Sequence, residues 1–151
     1  MSKTFTYEEV LQKDGKLIYR NKGTSMLPLI RENRDLIIIE KKDVDRCKKY
    51  DIVLYKRKSG EYVLHRILKV RKEDYIIAGD HCTYKEYGIT DNQILGVLTA
   101  VVRDGKTIKT TNKKYLLYTH LWCDFYYIRV TIIKIKSFCS KTFHKIFGKP
   151  A

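Results

Sequence analysis

Several things are missing from this chain, and each absence narrows what it is. Nowhere in its 151 residues do apolar side chains run together over the length of about 18 that a membrane-spanning helix needs. The opening MSKTFTYEEVLQKDGK is polar from the start. Neither a signal peptide nor an N-terminal anchor is expected, and the chain is expected to stay in the cytoplasm. No C-x-x-C occurs; Cys47, Cys82, Cys123 and Cys139 stand at unrelated spacings. Zinc sites usually carry close ligand pairs, so free thiols in a reducing compartment are the reading these four support. His81 and Cys82 are neighbours, but neighbours in an extended segment point to opposite faces. There is no internal repeat and no low-complexity segment. No helix-turn-helix pattern precedes the β-rich region and no RNA-binding signature is present, which ranks nucleic acid last among partners.

Acid is missing too, and unevenly. The chain holds 31 Lys and Arg against 17 Asp and Glu, a formal charge of +14. From Phe125 onward Arg129, Lys134, Lys136, Lys141, Lys145 and Lys149 meet no acidic residue at all. Such a balance points to an anionic partner, and its concentration in the tail points to a peripheral contact with anionic membrane.

What is present is a succession of short β patterns. A capping box, Thr6-x-x-Glu9, predicts a helix over residues 7–13. β-Branched and alternating runs predict strands at residues 16–20, 35–40, 51–56, 61–71, 74–78, 94–102 and 106–111, with turns at Lys58-Ser59-Gly60 and Asp104-Gly105. Residues 79–93 read as polar and irregular. This predicts a mainly β fold, a coiled and partly closed β-barrel. The division expected is a domain over residues 1–112 and a basic segment over 113–151. In that segment Leu117, Leu121, Phe125, Ile128, Ile132, Ile135 and Cys139 follow three- and four-residue steps, the period of an amphipathic helix. The stripe has two readings: it packs on the barrel, or it lies in a membrane surface with Trp122 and the tyrosines at the interface.

Two stretches carry chemistry. Gly23-Thr24-Ser25-Met26-Leu27-Pro28 puts a serine in a turn bracketed by glycine and proline, where a base in reach would make it a nucleophile. Val63-Leu64-His65-Arg66-Ile67 puts a histidine inside an apolar strand, which disfavours its charged form and keeps the imidazole able to accept a proton. Arg66 falls on the opposite face, placed to pair with an acid there.

In order, Gly-x-Ser-Met-x-Pro, Tyr50-Asp51-Ile52-Val53, His65-Arg66-Ile67, Gly79-Asp80 and Ile94-Leu95-Gly96-Val97 resemble the type I signal peptidase family, which shares its fold with self-cleaving SOS-type repressors. The resemblance spans residues 22–102 and is similar to the branch that uses a histidine, rather than a lysine, as base. It implies Ser25 as nucleophile and His65 as general base. It implies further that Asp80 or Glu86 supports the histidine, Glu86 standing where the family carries a later aspartate. Gly23 replaces a hydroxyl residue that assists the family's oxyanion hole, leaving backbone N–H groups, Ser25's foremost. No metal or organic cofactor is implied. The family's anchor ahead of the serine is not found. Small anchorless members handle ribosomally made peptides, so the resemblance implies a leader peptide, or another peptide or protein precursor, cleaved in the cytoplasm or on the inner membrane face. The same fold kept as a non-catalytic module that binds peptides or a membrane surface is the alternative.

Overall fold

The computed structural model describes residues 5–147, with side chains described as far as Ser140. Helix α1 (Tyr7–Asp14) opens on the expected box: the Thr6 N–H donates to Glu9 Oε2 at 2.8 Å and the Glu9 N–H to Thr6 Oγ1 at 3.2 Å. It sinks Leu11 into the core beneath it. The strands are β1 (Lys16–Arg20), β2 (Leu36–Lys41), β3 (Ile52–Lys56), β4 (Tyr62–Val70), β5 (Tyr75–Ala78), β6 (Glu86–Ile89), β7 (Ile94–Arg103) and β8 (Lys106–Lys109). β6 lies inside the stretch read as irregular. Its sequence, EYGI, carries little strand signal, and pairing with β5 is what extends it.

All eight strands pair antiparallel in one sheet, in the order β1-β2-β7-β3-β4-β5-β6. The ten-residue β7 is its hub: β2 pairs along one edge, while β3 and then β8 share the other. The sheet is not closed into a barrel, correcting the expectation of partial closure. A barrel has one filled interior, but here both faces of β3 are covered. Ile52 and Leu54 point into one core with Leu11, Met26, Ile37 and Leu98. Val53 and Tyr55 point into a second core with Ile67, Tyr75 and Ile77. Strand alternation thus divides the apolar residues between two layers, and closing the sheet would leave one of them outside.

The C-terminal segment forms two helices where one was expected, α2 (Lys113–Asp124) and α3 (Tyr126–Phe147), separated by Phe125 at φ −97° and ψ 40°. The anticipated stripe does not pack on the sheet. Tyr115, Thr119, Cys123, Tyr126 and Arg129 are buried instead, while Leu117, Leu121, Phe125, Ile128, Ile132, Ile135 and Cys139 face outward. Of the six basic residues in the tail, Arg129 is inside, its guanidinium 4.7 Å from the Tyr126 ring centre. Lys149 lies outside the described residues, as do the side chains of Lys141 and Lys145.

Candidate active site

Ser25 sits in the connection between β1 and β2, which is held by what flanks it. Met26 and Ile30 are fully buried, and Ile30 donates its N–H to the Met26 carbonyl at 2.9 Å. With Met26 turned into the core, Ser25 is turned the other way, part-exposed. Gly23 has φ +103°, a conformation that glycine adopts without strain, and its N–H donates to Glu32 Oε1 at 2.7 Å. The Leu27 N–H closes the turn onto the Thr24 carbonyl at 3.1 Å. At the far end the buried Asp35 accepts from Arg31 and Arg103, and Arg103 also donates to the Leu29 carbonyl at 2.7 Å. Burial raises the Asp35 pKa, but those donors outweigh it and hold the carboxyl at about 2.

His65 is buried on β4, pointing into the second core's side of the sheet. Its Nδ1 is 3.2 Å from Glu86 Oε1 and 3.3 Å from the Tyr55 hydroxyl. Glu86 is fixed in turn by Arg57, which donates from Nε at 3.0 Å and Nη2 at 2.6 Å. A carboxylate at Nδ1 selects the tautomer with its proton there and leaves Nε2 as acceptor. Burial lowers the His65 pKa below the ordinary 6.5 and outweighs the opposing pull of Glu86, so the imidazole is neutral at pH 7. Burial raises the Glu86 carboxyl, yet hydrogen bonds from Arg57 and Tyr55 carry it below its usual range.

Asp80 is not at the histidine. It forms a fully buried two-pronged pair with Arg66, Nε to Oδ1 at 2.9 Å and Nη2 to Oδ2 at 2.8 Å. Burial disfavours the guanidinium charge, and the Asp80 carboxylate overcomes it. The two acids that the resemblance left as alternatives therefore occupy different places: Glu86 touches His65, and Asp80 ties the turn after β5 to the residue beside His65. That turn holds the serine as well, because the His81 N–H donates to the Ser25 carbonyl at 2.8 Å. Gly79 is the point of closest approach. A methyl group there would stand 2.6 Å from the Ser25 carbonyl oxygen, 2.7 Å from Cys82 Sγ and 3.0 Å from His65 Nε2. Only a residue without a side chain lets these three groups converge.

Sequence reasoning missed the cover over the Arg66–Asp80 pair. Arg66 Nη1 donates to the Tyr115 and Thr119 hydroxyls, both at 3.3 Å, and to the Tyr50 carbonyl at 3.1 Å. The Tyr118 hydroxyl donates to Asp80 Oδ2 at 3.0 Å, and Trp122 Nε1 donates to the Asp80 carbonyl at 2.8 Å. α2 thus belongs to the site's scaffold. Its polar groups fall on a face whose partners lie between 38 and 53 residues away in the chain, and no local pattern marks them.

Ser25 and His65 line one groove of about 870 Å³, together with Tyr7, Tyr19, Tyr62, Tyr84 and Arg57. Along it, residues 62–65 of β4 pair with β3 on one edge only, since pairing with β5 begins at Arg66. Among the described residues β1 pairs with β2 alone. Two lengths of strand edge with no partner strand among the described residues therefore border the groove, the arrangement that accepts an extended peptide as an added strand. Among the described residues no hydrogen bond joins Ser25 to His65. Cys82 Sγ lies 4.0 Å from Nε2, and burial pushes its pKa up, keeping it a protonated thiol. No three His, Cys, Asp or Glu side chains among the described residues are grouped to hold a metal ion. Comparison with protein-family models, with curated proteins and with solved structures found no match in any of the three.

Proposed function

We propose that the protein is a serine endopeptidase that cleaves a leader or signal-type segment from a peptide or protein precursor. The observation that carries this reading is a neutral His65, oriented by Glu86 at Nδ1, sharing a peptide-sized groove with Ser25. The substrate lies extended along the free edges of β1 and β4. His65 Nε2 takes the Ser25 hydroxyl proton as Oγ attacks the scissile carbonyl carbon. The oxyanion takes a hydrogen bond from the Ser25 N–H, the tetrahedral intermediate expels the new amine with the proton from His65, and an acyl-enzyme remains. His65 then deprotonates water, which releases the acid and regenerates Ser25. The Ser–His hydrogen bond forms in the substrate complex; such contacts are commonly loose in a free enzyme. Asp80 acts as a positioning residue through Arg66. The chemistry requires no metal and no organic cofactor.

Purified protein incubated with candidate leader peptides and followed by mass spectrometry tests the reading. Cleavage is expected, with loss of at least about 1000-fold in Ser25→Ala and His65→Ala and little change in Cys82→Ala. Peptide binding without cleavage by the parent protein leaves the non-catalytic module, which the missing Ser25–His65 hydrogen bond favours. If Cys82→Ala is the inactive variant, the nucleophile has been misassigned.

A further inference from the structure

We propose that α2 and α3 dock the protein on an anionic lipid surface, lying along it with their outer apolar stripe immersed. This is independent of the peptidase reading. Leu117, Leu121, Phe125, Ile128, Ile132 and Ile135 are each between 43% and 61% exposed. In a helix, residues two positions apart lie about 200° around the axis. Leu117 is two positions beyond the buried Tyr115, and Ile128 two beyond the buried Tyr126. The steps of three and four carry both stripes onward, so the stripe lies opposite the buried side of α2 and of the first turn of α3, and beyond Ile133 every described side chain of α3 is exposed. A helix bound to one body needs only one apolar face. The six side chains of the second stripe are open to solvent instead.

Charge selects the occupant. Lys134 and Lys136 are exposed and fall to either side of the stripe, and no acidic residue occurs from Phe125 to the end of the chain. Pairing with a second copy would set two such helices of one sign against each other in a protein of charge +14. A bilayer bearing phosphate headgroups satisfies both features at once: acyl chains take the stripe and headgroups take the lysines. Neither helix is long and apolar enough to cross the bilayer among the described residues, which makes the contact one of lying on the surface. Tyr127, 77% exposed beside Ile128, is placed at the level of the headgroups.

Sedimentation of the full chain with vesicles tests this, using phosphatidylcholine alone and phosphatidylcholine containing a quarter phosphatidylglycerol. Binding to the anionic vesicles, weakened by added salt, is expected. The triple variant Ile128→Ser, Ile132→Ser, Ile135→Ser should bind at least about tenfold more weakly. The double variant Lys134→Gln, Lys136→Gln should lose about fivefold for each lysine removed. These side chains are exposed, so thermal melts of all variants should match the parent and exclude misfolding as the cause. No binding to either vesicle, or equal binding to both, overturns the proposal. So does a concentration-dependent dimer in sedimentation equilibrium that the triple serine variant abolishes, since the stripe would then be a self-association surface.

Discussion

At the scale of single residues, the candidate site depends on how two atoms of one imidazole are treated. Nδ1 faces Glu86 and Nε2 faces the Gly79 turn, so protonation at Nε2 is what stops the base. Because burial lowers the His65 pKa, the acid limb of kcat/KM is expected below pH 6.5, with activity held as pH falls to that value and lost only beneath it. Glu86 opposes that lowering. Glu86→Gln should therefore move the limb to still lower pH while reducing kcat by about 100-fold, because the tautomer is no longer selected. A pH–rate profile of both proteins reads the two effects separately, and a limb that moves upward would contradict the assigned role. Gly79→Ala places a methyl group against the Ser25 carbonyl, Cys82 and Nε2. It should cost about 1–3 kcal/mol in urea titrations and separate serine from histidine, so that activity falls further than stability accounts for.

At the scale of elements, two joints hold the site together. One is Asp35, where the end of the serine connection and the end of β7 meet through Arg31 and Arg103. Its folded pKa is depressed, so its contribution to stability is complete above the unfolded value of 3.8 and is lost as pH falls toward about 2. Asp35→Asn should lower stability at pH 7 by about 3 kcal/mol, leaving two cations facing a neutral amide. The difference from the parent should shrink in melts near pH 2. The second joint is α2 on the Arg66–Asp80 pair. A chain ending at Thr111 uncovers that pair and should melt well below one ending at Ser137, which keeps every contact from Tyr115 to Trp122. Equal melting of the two would mean that α2 contributes nothing to the scaffold. The helix α1 and most strands were legible in sequence because capping and alternation are local. β6 was not, since it follows from pairing with β5, and no glycine or proline marks the break at Phe125.

At the scale of the whole molecule, an open sheet with a core on each face carries the two proposed contact regions on different elements. One is the groove bordered by the unpaired edges of β1 and β4; the other is the outer face of α2 and α3. The groove's wall carries Arg57 and four tyrosines, and the helices carry the apolar stripe with its lysines. A precursor held at a lipid surface would meet both regions on one small body.

The amino-acid sequence by itself determined that the chain would be mainly β, that its first helix would open on a capping box, and that the basic C-terminal segment would be helical with apolar residues at three- and four-residue steps. Composition, alternation and helical period are properties of neighbours in the chain, and neighbours are what a sequence displays. Only the tertiary structure decided between Glu86 and Asp80 as the acid in contact with His65, and only it turned the stripe outward. It also brought Gly79 against Ser25 and left the sheet open rather than closed. Each of those outcomes is set by which distant segments compete for the same buried space, and that competition is resolved only when the chain is packed.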